Sequence, residues 1–435
     1  METFDITIVG GGILGTSLAF WLSLLFEGKI AVLEMERDVA KHTSGRNTGV
    51  IHRPFYLDPD KRKTFAHCAQ ISYGLWKAFA QNKNLPWSEI GTIEVAVDER
   101  QLNILGKYAD WALKNGMQPE EIELLNGSEV KKIEPHVHCL GAIYSKTDTS
   151  VNYELFTRAL KEEAVANGIQ FLFRRKVKEI RLRESRIQIG SDNMEEVESR
   201  FLINCAGGNA VDLAHLFKVG LEYTDLHFRG EYWEVRPEKA GLVTRNIYTV
   251  PKHPTIPFLD PHWIVRADGR REIGPNAVLV TGCTTYEGFF SSLGELASKI
   301  FEKPLKNKLS LFVNPDFLKL ASEEWYSSIS KKAMAHRVQK FIPDLRVEDL
   351  YRKGTSGIRS SVIDLNGNFV KEAIEIPGPS SYHILNYNSP GATGSPAYTA
   401  SLVEQLEKSG ALNHLKKRPQ PLKSLWNYSE VVQSL

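Results

Sequence analysis

The run Gly10-Gly11-Gly12-Ile13-Leu14-Gly15 has the spacing that lays backbone against a pyrophosphate. Gly10 allows a tight turn, Gly12 lets the chain approach the anion, and Gly15 lets a following helix lie close on a strand. The N–H groups that open a helix at Ile13 and Leu14 then face the phosphates. Glu34, with Met35 beside it, follows 19 residues after Gly15 at the end of the next apolar run. A carboxylate there accepts the ribose hydroxyls of an adenosine. The motif alone does not separate FAD from NAD, and a glycine-rich turn in another α/β protein carries the same letters.

Other residues have the chemistry of a reacting site. His52 and His262 are candidates for a base that takes a hydroxyl proton, although a structural histidine is the commoner fate of either alone. Arg359, in Ser356-Gly357-Ile358-Arg359, reads as a bidentate clamp for a carboxylate or phosphate. Against it stands the preference of most arginines for the surface. Arg229, Tyr232 and Tyr56 are candidates to face a substrate, with Tyr232 equally at home in a core. Gly391-Ala392-Thr393-Gly394 precedes a helix whose N–H groups attract developing negative charge. Pro396 reads as lying just inside that helix. Cys205-Ala206-Gly207-Gly208 ends a buried run with small residues, Cys205 being packed rather than reactive. His136-Val137-His138-Cys139 has metal-ligand types, but no second cluster completes a site, so no metal is expected.

These residues need elements to hold them. Phe4 to Val9, Ile13 to Phe26 and Lys29 to Glu34 read as strand, helix and strand, a βαβ opening that implies a parallel sheet. Helices are expected at about 61–81, 99–115, 153–167 and 396–407. Strands are expected at 170–173, 201–206 and 382–386, with a meander at 177–189. Thr92 to Val97 alternates as a half-exposed strand does. Leu221 to Val280 is strand-rich with many aromatics, including Tyr248, Phe258 and Trp263, and suggests a largely antiparallel second sheet; helices follow from Ser291 to Lys331. The 435 residues, 42% hydrophobic and 24% charged, suit two or three globular domains. The net charge of +2 argues for no nucleic-acid partner. No apolar run approaches 20 residues, which excludes an ordinary membrane span. The opening residues lack the features of a signal peptide. The 4 cysteines, Cys68, Cys139, Cys205 and Cys283, are far apart, so neither disulfides nor a Cys-ligated metal is expected and a cytoplasmic location is the simplest.

His42-Thr43-Ser44-Gly45-Arg46-Asn47-Thr48-Gly49-Val50-Ile51-His52 resembles the flavin loop of FAD-dependent oxidoreductases of the D-amino-acid oxidase superfamily. The L-2-hydroxyglutarate dehydrogenases carry a similar Thr-Gly-x-Asn-Ser-Gly-Val-Ile-His loop. The likeness extends over almost the whole chain, through Phe228-Arg229-Gly230-Glu231-Tyr232, Pro257-Phe258-Leu259 with His262, Ile273-Gly274-Pro275-Asn276-Ala277, Ser356 to Arg359, and Asn388-Ser389-Pro390 to Thr393. It implies an α/β (α+β) fold: a discontinuous Rossmann-like FAD-binding domain with a second, largely antiparallel-sheet substrate domain. The implied division is 1–85, 150–218 and 335–413 for FAD, 86–149 and 219–334 for substrate, and 414–435 as a basic tail. The implied cofactor is FAD, held by Gly10, Gly12, Ile13, Leu14, Gly15, Glu34, Met35, Thr43, Ser44, Arg46, Asn47, Thr48, Gly49, Val50, Val177, Ala206, Gly207, Gly391, Ala392 and Thr393. The hydroxyls, amide and glycines of the 43–49 loop suit a chain lying against an isoalloxazine ring.

The resemblance breaks beside the flavin. After His52 the 2-hydroxyglutarate enzymes usually continue with small residues; here Arg53-Pro54-Phe55-Tyr56 follows. Gly45-Arg46-Asn47 is similar to the loop of flavin-dependent glycerol-3-phosphate dehydrogenases, and added guanidiniums at Arg46 and Arg53 suit a phosphate dianion. The Gly-Gly-Lys and long C-terminal extension of those enzymes are missing. Site over fold places glycerol 3-phosphate marginally first, 2-hydroxyglutarate second, and an amine or amino acid third. In the first two cases a secondary CH–OH loses its proton to a base and its hydride to FAD. The electrons then pass to an external acceptor: a quinone, a partner protein or oxygen. For the tail, Leu415-Lys416-Lys417-Arg418 through Trp426, two readings stand: a solvated or self-packed segment, which the few cations favour, and contact with a membrane surface. Homodimerisation and covalent attachment of FAD are left open.

Overall fold

The computed structural model describes residues 1–184, 186–192, 195–252, 260–288, 294, 301–302 and 315–435. Pro257-Phe258-Leu259 and most of the helical stretch expected after Ser291 lie outside them. The chain enters on the strand Glu2–Val9, with Ile6 and Ile8 fully buried. It then turns at Gly10, whose φ of +112° and contact with the Cys205 carbonyl exclude a side chain. The helix Ile13–Leu25 that follows is buried almost all round, which is why its sequence is apolar rather than amphipathic. It leads to the strand Ile30–Glu34, parallel to the first.

The first sheet runs in the order 170–173, 30–34, 2–9, 197–204, 187–191, 177–182, with Ser381–Asn386 also pairing Val197–Asn204. Its core strands are parallel and its 187–191, 177–182 and 374–378 strands antiparallel. The sheet is thus completed by residues nearly 400 positions from its start, as a discontinuous cofactor domain requires.

The second sheet orders 278–280, 224–235, 271–274, 262–265, 246–249, 92–96, 141–145, 122–126, and Leu350–Ile363 pairs Thr224–Val235 along most of its length. Among the described residues, only the 246–249/92–96 pairing of this sheet is parallel. Two expectations change here. Thr92–Ala96 is buried on both faces, not half-exposed: Ile93 and Val95 enter one core, and Ala96 enters another with Phe55 and Tyr108. The 335–363 stretch, expected with the cofactor domain, belongs to this sheet, because Met334, Val338, Phe341, Ile342 and Leu350 share a core with Ile93 and Trp263.

The helix Gly391–Lys408 starts five residues before Pro396, which therefore sits inside it. A proline lacks the N–H that the Ala392 carbonyl would take. Ser395 Oγ donates to that carbonyl instead, at 3.1 Å. Neighbours hold the rest of the turn: Trp76 Nε1 donates to the Thr393 carbonyl at 2.8 Å, and Ala397 N–H donates to Ser72 Oγ at 3.1 Å. The tail is self-packed. Trp426 is 3% exposed, its ring 5.2 Å from Phe20 and from Phe79. Lys416–Lys417 pairs Phe26–Glu27. Among the described residues no helix is long and apolar enough to cross a membrane.

Candidate active site

The glycine turn and its surroundings form a cradle for a dinucleotide. The opening helix has Gly12 as its N-cap, which offers no side chain, and no acidic residue in its first turn; apart from the Ile13 N–H, which Ser44 Oγ takes, its positive end suits an anion. Glu34 is buried, which raises its carboxyl pKa; N–H groups of Gly11 (2.7 Å) and Glu36 (2.8 Å) counter this by donating to it. Arg175 N–H donates to the Glu34 carbonyl, which brings the chain entering Val177 alongside. Asn209 Nδ2 reaches Met35 Sδ at 3.7 Å, so the Ala206-Gly207 turn adjoins the same edge.

The 43–50 loop closes over the helix start. Ser44 Oγ accepts from Ile13 N–H at 2.9 Å, and Thr43 Oγ1 donates to the Ile358 carbonyl at 3.0 Å. Asn47 braces the loop from both ends, donating to the Ser44 carbonyl and accepting from Gly49 N–H, with Thr48 half-buried between them. Arg46 donates through Nε to the Lys41 carbonyl and lies 4.0 Å over the Tyr286 ring.

His52 follows the short strand Val50–Ile51. Its Nδ1–H donates to Asp148 Oδ2 at 3.1 Å, and its backbone N–H donates to Thr393 Oγ1 at 3.2 Å. Asp148 is fully buried and also accepts from Ser145 Oγ (2.6 Å) and Arg53 N–H (3.0 Å). Thr393 Oγ1 meets Tyr153 Oη at 2.9 Å. The ring is thus oriented through Nδ1 and the backbone is tied to Thr393, and Nε2 is the nitrogen left to take a proton. Tyr248 and Tyr56 meet the imidazole edge-on, with centroids 5.6 and 6.0 Å away.

The second sheet lays a row of polar side chains under this pair. Glu94 stands in register with Tyr248, whose ring stacks 4.1 Å from His262. Tyr232 Oη donates to His262 Nε2 at 3.1 Å, and His262 Nδ1–H donates to the Asp260 carbonyl at 3.1 Å. Complete burial holds the His262 imidazole down to about 3. Burial also pushes the Glu94 carboxyl up to about 8, with the charge of Asp148 adding to the shift. Arg359 stands in register with Phe228 in the adjoining strand. Burial lowers its pKa, and the charges of Tyr232, Tyr56 and Arg62 all reach it. Arg62 lies 4.2 Å over the Phe65 ring and donates to the Ser389 carbonyl at 3.3 Å.

Three sequence-level expectations are corrected by these contacts. Arg53 does not face a substrate. Its fork is filled by Glu121 (2.5 and 3.0 Å), Thr147 and Gln70, its face by Tyr73 at 4.2 Å, and it is 2% exposed. Arg229 is committed to Glu231 and to the carbonyls of Thr285 and Gly288. His262 is not placed to serve as the base: both its nitrogens are engaged, and complete burial makes it a weak proton acceptor. His52, Tyr56, Tyr232, Arg359 and Thr393 are brought together. Asp148, Glu94 and Arg62 went unnoticed in the sequence: each is an ordinary polar residue in a stretch without a motif, and only the fold brings them to His52.

A family model described as FAD dependent oxidoreductase matches residues 5–406. The mitochondrial L-2-hydroxyglutarate dehydrogenase of Homo sapiens is 30% identical over 431 residues, covering 94% of this chain and 89% of its own. The L-2-hydroxyglutarate dehydrogenase of Indibacter alkaliphilus is 30% identical over 410 residues, covering 92% of this chain and 98% of its own. Among solved structures, the L-alpha-glycerophosphate oxidase of Mycoplasma pneumoniae with FAD bound superposes with a TM-score of 0.72 at 22% identity over 97% of both chains. The glycine oxidase of Geobacillus kaustophilus gives 0.68 at 18% identity, covering 98% of this chain and 99% of its own. At those identities the solved structures speak to the fold.

Proposed function

The chain belongs to the FAD dependent oxidoreductases, and from that premise we propose that it oxidises the secondary CH–OH of a 2-hydroxy acid to a 2-oxo acid, with L-2-hydroxyglutarate as substrate. FAD is its cofactor, and the uncapped helix start, the Gly10–Gly15 cradle, Glu34 and the 43–50 loop are the donor set that fits it. When bound, FAD supplies the acceptor for the hydride.

The observation that carries the reading is the His52–Asp148 pair. With Nδ1–H tied to Asp148, Nε2 takes the hydroxyl proton, and the buried carboxylate stabilises the imidazolium that results. Arg359 receives the carboxylate next to the reacting carbon, bidentately and in a desolvated setting. Tyr232, its hydroxyl turned toward His262, and Tyr248 wall the site and keep water from the reacting carbon. Thr393 aligns the His52 backbone with the start of the Gly391–Lys408 helix.

Support for the substrate comes from the 30% identical relatives, both named L-2-hydroxyglutarate dehydrogenase. The preference for glycerol 3-phosphate leaned on Arg53 and Arg46. With Arg53 saturated by Glu121 and Arg46 laid on Tyr286, that preference loses its footing. The electrons pass on to an acceptor outside the chain, a quinone or partner protein. Anaerobic addition of L-2-hydroxyglutarate, sn-glycerol 3-phosphate and sarcosine to separate samples of the yellow protein tests the reading. Bleaching by L-2-hydroxyglutarate is expected; bleaching by either of the others alone overturns it.

A further inference from the structure

The turn Asn388-Ser389-Pro390 and the first turn of the Gly391–Lys408 helix meet the Arg62 guanidinium and backbone groups of Ser360 and His52. From Ser389 its carbonyl accepts from Arg62 Nη2 at 3.3 Å. From Asn388 its amide donates to the carbonyl of Ser360, the residue after Arg359, at 3.3 Å. A short way into the helix, Thr393 Oγ1 accepts from the His52 backbone N–H. One turn therefore sets the base and two guanidiniums relative to one another.

Arg62 is held more rigidly than a surface arginine. Its guanidinium lies 4.2 Å over Phe65, which stacks 4.8 Å from Tyr387, itself 3.8 Å from Tyr398. Yet its polar needs are poorly met. Nε is buried without a hydrogen-bond partner, and among the described residues no carboxylate lies within ion-pair distance of Arg62. The charges that reach it are those of Tyr56, Glu372 and Tyr387, its own charge reaches Arg359, and its burial lowers its pKa, as burial does for Arg359. Glu372 offsets part of the Arg62 charge from beyond ion-pair distance, but the two guanidiniums feel each other, and an anion with two negative ends relieves both.

We propose that Arg62 binds the substrate's second, remote carboxylate, so that this site selects dicarboxylic over monocarboxylic 2-hydroxy acids. The inference rests on the 2-hydroxy-acid reading above, with Arg359 on the carboxylate beside the reacting carbon. Arg62 does not touch the reacting atoms; it sets which acid is held.

The test compares L-2-hydroxyglutarate with L-2-hydroxypentanoate, which keeps the carbon chain and replaces the remote carboxylate by a methyl group. Flavin reduction is followed anaerobically in the FAD-loaded wild type, Arg62→Gln and Arg62→Lys. Glutarate, which has no hydroxyl to oxidise, is titrated against each by the change in flavin absorbance. Loss of a charged hydrogen-bonding group predicts that Arg62→Gln lowers kcat/KM for L-2-hydroxyglutarate by about 10- to 100-fold, chiefly through KM. The same variant leaves L-2-hydroxypentanoate within about 2-fold and weakens glutarate in step with L-2-hydroxyglutarate; Arg62→Lys, which keeps the charge but not the planar fork stacked on Phe65, restores part of the loss. Equal losses on both hydroxy acids, or none on either, overturn the inference while leaving the 2-hydroxy-acid reading intact. A wild type bleached by neither hydroxy acid overturns that reading; in that case the proposed remote site stands or falls on whether Arg62→Gln weakens glutarate.

Discussion

At the scale of single residues, His52 and Arg53 are neighbours with opposite fates. Exchanging His52 for Gln removes the proton acceptor but keeps the ring's size and a polar end. Flavin reduction is expected to slow by about 10²- to 10⁴-fold, with FAD affinity and glutarate binding unchanged, as stopped-flow absorbance would read. Equal weakening of glutarate would instead mark His52 as a packing residue. Arg53→Met leaves Glu121 without its fork partner. It is expected to cost about 3 kcal/mol of stability in chemical denaturation, while KM stays as it is; a raised KM with intact stability would return Arg53 to the substrate. The sequence made His52 visible because it closes a loop that resembles the flavin loop of the family. It could not show that Asp148, 96 residues on, would meet it. Nor could it show that Arg53, one position along an extended backbone, would point to the other side and find Glu121. Residue type announces a capacity, whereas which partner consumes it is decided by packing between distant segments.

At the scale of elements, local pattern was enough for the opening strand, helix and strand, since turn, cap and buried faces all lie within 34 residues of the N-terminus. It failed for Thr92–Ala96, where alternation of apolar and polar residues suggested a wet face. The second face is covered by the Pro54–Tyr56 turn and the Glu99–Lys114 helix, elements that no local window contains. It also misplaced the start of the last long helix, because Pro396 reads as a first-turn residue and Trp76 and Ser72 repair the break from 300 residues away. The glycine turn gives the prediction proper to this scale. Gly10→Ala must fit a methyl group against the Cys205 carbonyl at a φ of +112°. The turn is expected to shift and the purified protein to be colourless, with flavin content per chain as the measurement; a fully loaded variant would show that the turn has slack.

At the scale of the whole molecule, buried ionisable groups tie stability to pH. His262 and His383 are held neutral by burial, down to about 3 and about 4, whereas unfolded histidine titrates near 6.5. Their depressed values mean that stability is present above about pH 6.5 and is lost as pH falls, at about 1.4 kcal/mol per pH unit for each histidine. Glu94 acts with the opposite sign. Its carboxyl stays protonated up to about 8 in the folded chain, while the unfolded one ionises near 4.3, so its contribution fades as pH rises between those values. Together the three place their combined maximum near about pH 6.5. Denaturation midpoints across pH 4.5–8.5 check this: Glu94→Gln should flatten the alkaline limb and steepen the acid one, whereas His383→Gln should flatten the acid limb alone. Finally, the first sheet pairs Val197–Asn204 with Ser381–Asn386, and Trp426 seals the first helix. A chain leaving the ribosome leaves one side of its apolar opening helix bare until the Gly391–Lys408 helix, whose Pro396 carbonyl takes the Trp21 indole N–H, and the Trp426 ring emerge. Acquisition of the cofactor is therefore a post-translational event, and nascent chains stalled short of residue 381 should be the ones that chaperones hold.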